Sequence, residues 1–133
     1  MPQLSAEVPT LDLVLLQSLL PDEPEEASAL LQDLVSTCRG FVTRTIEALE
    51  KARRDGLAAL VCESAHTLRG GFEALAAGRA VELCRTLEAL GRGSALELAE
   101  PLVDQLRGEA ERVAATLEWC AVQVAGGRRL PQN

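Results

Sequence analysis

The sequence predicts an all-α fold, an antiparallel up-down four-helix bundle with a short N-terminal lid helix. Three observations carry this expectation. Hydrophobic residues make up 47% of the chain but aromatics only 2%, so the core is Leu, Ala and Val, a composition that favours helices over strands. Apolar residues recur at alternating spacings of four and three, as in helices buried on one side. Short Pro- and Gly-containing breaks separate these stretches, which makes consecutive helices antiparallel neighbours. At 133 residues the chain reads as one domain, 1–133, with a single core.

The first helix is expected over 11–20, with Thr10 after Pro9 as its N-cap. It is apolar nearly all round, which suits a lid across the end of a bundle, and its polar face lacks the basic residues of a membrane-surface helix. Pro21-Asp22-Glu23-Pro24 breaks the chain, and Pro24 suits the first turn of a long second helix over 24–55. The expected seam of that helix is Ala27, Leu30, Leu31, Leu34, Cys38, Phe41, Val42, Thr45 and Leu49. Acidic residues crowd its first turn and Lys51, Arg53 and Arg54 its last, matching the helix dipole, and Asp55-Gly56 ends it. A third helix follows over 57–77. A fourth, over 79–90, buries Leu83, Leu87 and Leu90 and is closed by Gly91-Arg92-Gly93. Ser94-Ala95-Leu96-Glu97 has the form of a capping box and opens the last helix, 95–125, in which Pro101 implies a kink or a later start. The last seam is Ala99, Leu102, Leu106, Ala110, Val113, Leu117, Cys120 and Val124. Gly126-Gly127 then releases a tail, 126–133, expected to be disordered.

Charge and cysteine usage exclude several classes of function. The net charge is −7, and residues 1–38 hold Glu7, Asp12, Asp22, Glu23, Glu25, Glu26 and Asp33 but no Lys or Arg, a solvated acidic surface. Without a basic stripe no nucleic-acid partner is expected. With no apolar run near 18 residues and no signal peptide, neither membrane insertion nor secretion is expected, and the chain reads as cytoplasmic. Cys38, Cys62, Cys84 and Cys120 are widely spaced and the chain has one histidine, which argues against a zinc site or any other metal site. They read as reduced thiols, with Cys84 and Cys120 in the core. A Cys62–His66 nucleophile pair lacks any visible oxyanion device or third group.

The third helix carries the stretch with chemistry in it. Val61, Ala65, Leu68, Phe72 and Leu75 form its apolar seam, and His66 lies roughly 140° from the middle of that seam at the helical period. His66 is therefore expected on the solvent face, among Ala59, Cys62, Glu63, Arg69, Gly70 and Glu73. Gly70 and Gly71 each forgo about 1 kcal/mol of helix propensity relative to alanine. Gly70 stands one turn beyond His66, where a bare backbone leaves clearance for a large partner. Arg69 brings a permanent charge and a fork of donors suited to phosphate oxygens. Glu63 or Glu73 is placed to orient the second ring nitrogen, but solvation of the face is the expected role of both.

His66-Thr67-Leu68-Arg69-Gly70-Gly71, with Leu75, Leu83-Cys84 and Leu87-Glu88 downstream, resembles the histidine-containing phosphotransfer (HPt) domain family of bacterial two-component phosphorelays. The family pattern, H-x-L-K-G-S-S followed by L-G-A and L-C-x-x-L-E, fits without a gap. Asp55-Gly56-Leu57 and Leu60 extend the similarity upstream. Arg69 replaces the family lysine and keeps its charge, and Gly71 replaces the serine, as in chemotaxis kinases. Ala76 stands where glycine is expected, with Gly78 two residues later, which implies a displaced turn.

The resemblance implies that His66 accepts a phosphoryl group from the aspartate of a response-regulator receiver domain and passes it to another receiver. It implies Arg69 as the phosphate-stabilising residue, Gly70 and Gly71 as partner clearance, and Ala59, Cys62, Glu63 and Glu73 as partner surface. Receivers and a hybrid histidine kinase are the implied partners. No cofactor is expected on this chain, and magnesium is expected on the receiver. No G-x-x-x-x-G-K-[ST] loop is present, so the chain reads as a phosphocarrier and not an enzyme with kinase activity of its own. Two alternatives stand beside this. The chain is an HPt fragment of a hybrid or chemotaxis-like kinase, or it is a helical adaptor or inhibitor that binds a receiver or kinase without phosphotransfer and has no need of His66.

Overall fold

The computed structural model of the chain describes residues 9–132. Glu7 of the acidic front end and the last tail residue, Asn133, lie outside the described residues. In order come α1 (Leu13–Leu19), α2 (Pro24–Thr37), a π-helical turn (Cys38–Val42), α3 (Thr43–Arg54), α4 (Ala58–Ala74), α5 (Gly78–Arg92), a 3-10 turn (Leu96–Leu98) and α6 (Glu100–Ala125). The fold is all-helical, with no strand among the described residues.

α2, the π turn and α3 run on as one rod over 24–54. The rod packs on α6 through α2 and on α4 through α3, and α4 packs most extensively on α5, which in turn meets α6. The core lies between them: Leu31, Ile46, Leu49, Leu68, Phe72, Leu87, Leu106 and Leu117 are fully buried. Every residue of the expected α4 seam is buried. In the rod the seam shifts. Ala27, Leu31, Val35, Cys38, Val42, Ile46 and Leu49 are buried, while Leu30 and Phe41 are exposed. A π turn inserts one residue into the helical repeat, which turns Phe41 outward, whereas Leu30 precedes the turn and sits on the outer side of α2 beside the buried Leu31. Ile46 takes the place that Thr45 was expected to fill.

Several expected boundaries also move. Asp12, not Thr10, caps α1, its carboxylate accepting the Leu15 N–H at 3.0 Å. Ser94 is no N-cap. It ends α5 with a φ of 56°, its N–H bonding Gly91 O at 3.2 Å while Ala95 N–H bonds Leu90 O at 2.9 Å. These crossed bonds from a left-handed residue are the standard way to satisfy the last carbonyls of a helix. The last helix starts at Glu100, because Pro101 has no N–H to give and fits only in a first turn. The tail is held rather than free. Leu130 is buried, and its N–H donates to Gln17 Oε1 of α1 at 2.7 Å.

The turn between α4 and α5 is not displaced. Ala76 adopts the left-handed conformation itself, with a φ of 61°, and Ala77 N–H and Ala76 N–H close onto Phe72 O and Glu73 O at 3.0 and 3.1 Å. The chain keeps the geometry that glycine would serve and accepts the Cβ penalty. The Ala76 carbonyl also receives the N–H of Asp12 at 2.9 Å, which ties the start of α1 to this turn. Farther along α5, a Cβ on Gly91 would stand 2.8 Å from Cys62 N and 2.9 Å from Ala58 O. Gly91 thus sits at a close approach of α4 and α5, inside α5 and not beyond its end as expected.

Two stability measurements follow from these backbone positions. Ala76→Gly relieves left-handed strain and should raise the unfolding free energy by about 1 kcal/mol, net of the entropy glycine adds to the unfolded chain. Gly91→Ala drives a methyl group into α4 backbone and should lower it by about 1–3 kcal/mol. Urea titrations followed by far-ultraviolet circular dichroism would test both, and a neutral Gly91→Ala would contradict the close approach.

Candidate functional site

The site forms where the outer face of α4 meets the edge of α5. His66 follows the buried Ala65 and precedes the buried Leu68 by two, so the helix turns its imidazole outward, with 67% of the side chain exposed. On α5 the row facing α4 is Val81, Cys84, Glu88 and Gly91, all buried. Glu88 therefore projects a carboxylate into the α4–α5 seam, and only 6% of its side chain is exposed. Because Gly91 lets α5 approach Cys62 one turn before His66, Glu88 reaches across to the imidazole.

The contacts are short. Glu88 Oε2 lies 2.8 Å from His66 Nδ1, and Arg69 Nε donates to Glu88 Oε1. Arg69 Nη1 donates to Glu73 at 3.2 Å, and Arg85 lies 3.7 Å from the same Glu73 oxygen. Arg69 Nη2 also stands 3.1 Å from His66 Nδ1. Arg69 has only protons to give, and an ionised Glu88 only accepts, so the tautomer follows from the shorter contact. Nδ1 carries the proton and donates it to Glu88. In the neutral ring this tautomer leaves the lone pair on Nε2, and no hydrogen bond engages that nitrogen among the described residues.

Burial pushes the Glu88 carboxyl up, but hydrogen bonds from Arg69 and His66, with their charges, outweigh it and hold Glu88 below the usual carboxylate range. The Cys84 thiol, one turn earlier, is pushed up to about 12 by burial and by Glu88, against the pull of Arg69. Burial alone carries the Cys120 thiol to about 11. Neither thiol is a nucleophile at neutral pH, and both lie in the core as expected.

The structure sorts the residues named from the sequence. His66, Ala59, Glu63, Gly70 and Gly71 are exposed together on α4. Cys62 is only half-exposed, because it packs against Gly91. No atom lies within 4 Å of where a Cβ would stand on Gly70 or Gly71, so nothing inside the described protein demands glycine there and the backbone is open to solvent. Neither Glu63 nor Glu73 orients the ring. Glu88 does, and Glu73 turns to Arg69. Arg69 is already engaged by two carboxylates and is not a free cation. Glu88 has a signal in the sequence, a carboxylate in the row of Val81, Cys84 and Gly91, which reads as a core position. Among the described residues no group of His, Cys, Asp and Glu side chains could hold a metal ion, and no helix is long and apolar enough to cross a membrane.

Among known proteins, the model of the Hpt domain family matches residues 14–116, which is most of the chain and includes every residue of this site. No curated protein and no solved structure matches.

The charge arrangement has a consequence for stability. Since Glu88 is held below its unfolded value, its contribution is present in full above about pH 4.3 and is lost as pH falls through the lower folded value. Glu88→Gln should cost about 1–2 kcal/mol at pH 7, and wild type and variant should converge below about pH 4. Urea unfolding from pH 7 to pH 3 measures this; a gap that widens in acid would reverse the assignment.

Proposed function

The chain belongs to the Hpt domain family, and we propose that it is a phosphorelay phosphotransfer protein with His66 as the phosphoacceptor. The observation that carries this reading is the His66–Glu88 contact, which leaves an exposed Nε2 lone pair on a ring oriented from behind. Nε2 attacks the phosphorus of an aspartyl phosphate on a receiver domain. The N–P bond forms, the P–O bond to the aspartyl carboxylate breaks, and that carboxylate leaves as an anion with no proton transferred. The ring becomes cationic while Nδ1 keeps its proton, and Glu88 is the counter-ion already in place. Return of the phosphoryl group to a second receiver runs the same step backwards. Phosphoryl transfer of this kind depends on alignment and charge more than on covalent chemistry.

Arg69 supplies positive charge beside the ring, and Gly70 and Gly71 leave the face beyond it bare for a receiver. Ala59, Cys62, Glu63 and Glu73 border that face as partner surface. The chain brings no cofactor and no kinase activity to the step; magnesium is held by the receiver, and a hybrid histidine kinase feeds the relay. The same reading takes residues 1–133 as one cytoplasmic domain, an antiparallel up-down bundle with α1 as its lid. The ring of helix contacts and the ties from Asp12 to Ala76 and from Gln17 to Leu130 support that architecture.

The test is transfer of label from a panel of radiolabelled, phosphorylated receivers to the wild-type chain and to His66→Gln. Acid-labile, alkali-stable label should appear on wild type alone, with His66→Gln within about 1–2 kcal/mol of wild-type stability because the side chain is mostly exposed and Arg69 still pairs with Glu88. Binding to a receiver without transfer would replace this reading with that of an adaptor.

A further inference from the structure

Arg69 spends its three nitrogens on the Nδ1 side of the ring: Nε and Nη2 toward Glu88 and Nη1 on Glu73. A phosphoryl group on Nε2 would form across the ring from all of them. The charges linked to the imidazole by hydrogen bonds or ion pairs are Glu88, Arg69 and, through Arg69, Glu73, with Arg85 facing Glu73 from α5 at 3.7 Å. Two carboxylates against one close guanidinium make a poor welcome for a dianion. Glu88 is buried and orients the ring, but Glu73 is 45% exposed and touches neither ring nitrogen, so its ion pair is dispensable to the fold. From this we infer that Glu73 is a positioning residue that holds Arg69 back from the phosphoryl group and keeps the phosphohistidine weakly stabilised and readily transferred. Arg85 opposes it by competing for the Glu73 carboxylate.

The inference rests on His66 as phosphoacceptor and gives that acceptor a regulated grip. A carrier that gripped the group with a free arginine would accept it well and surrender it badly. Glu73 sets the balance from i+4 on the same helix, where its side chain and that of Arg69 are neighbours.

The test needs no partner protein. Phosphoramidate, a small phosphodonor, can label the full chain directly: Nε2 forms the N–P bond, the donor's P–N bond breaks and ammonia leaves. Initial rate, phosphohistidine half-life and phosphorus-31 chemical shift are measured for wild type, Glu73→Gln, Arg85→Gln and the double variant. Glu73→Gln should raise both the rate and the half-life about two- to fivefold, the range expected of a partly exposed ion pair, and move the shift as Arg69 reaches the phosphoryl oxygens. Arg85→Gln should lower both, and the double variant should match Glu73→Gln because Arg85 acts through Glu73. A labelled wild type with Glu73→Gln unchanged or slower overturns the inference alone, as does an Arg85→Gln variant that gains. Absence of label on wild type, or label retained on His66→Gln, sinks the phosphoacceptor reading and this inference with it.

Discussion

A carboxylate in the seam between two helices must be matched or it costs several kcal/mol, and Glu88 is the group on which this structure turns. Its two oxygens are matched from α4, by the Nδ1 of His66 and the guanidinium of Arg69. That match tolerates no slip of α4 along α5, since a shift of one residue would rotate both donors away by about 100°. The backbone is arranged to hold the register. Gly91 lets the helices approach at Cys62, and Ala76 accepts a left-handed conformation so that the hairpin turns where it must. The strained alanine and the buried acid serve the same alignment at opposite ends of the shared face.

The outward-facing chemistry inherits this rigidity. His66 is exposed, yet its ring is oriented by a residue that is not, so Nε2 is presented on a framework of packed helices. Only the ion pairs at the rim, Glu73 with Arg69 and Arg85, are free to exchange partners at low cost. Adjustment of charge is thereby confined to the exposed rim of the site. The strongest positional constraint is confined to the side that packs.

Much of the fold was legible because amphipathic period is a local property. The α4 seam of Val61, Ala65, Leu68, Phe72 and Leu75 is buried as its spacing implies, and His66 points away from it for the same reason. Prediction failed where one residue changed the count or the partner. The π turn at Cys38–Val42 carried Phe41 out and Ile46 in. Ser94 looked like a cap for the helix after it and instead closes the helix before it, because Pro101 delays the start of α6. Leu130, in a tail with no periodicity to read, is buried through contacts with an element more than a hundred positions away.

Legible in the linear chain were the helical class, the exposure of His66, the arginine near it and the bare glycines one turn beyond, together with the motif that ties them to the Hpt domain family. The histidine, the arginine and the glycines lie within two turns of one helix, where period and spacing suffice. Tertiary structure alone decided which carboxylate the imidazole meets. Glu63 and Glu73 are near His66 in the chain, but Glu88 is near it in space, 22 positions on. Which residue wins depends on how closely and in what register two helices pack, and that is set by a glycine and a left-handed alanine rather than by any property of the histidine's own helix.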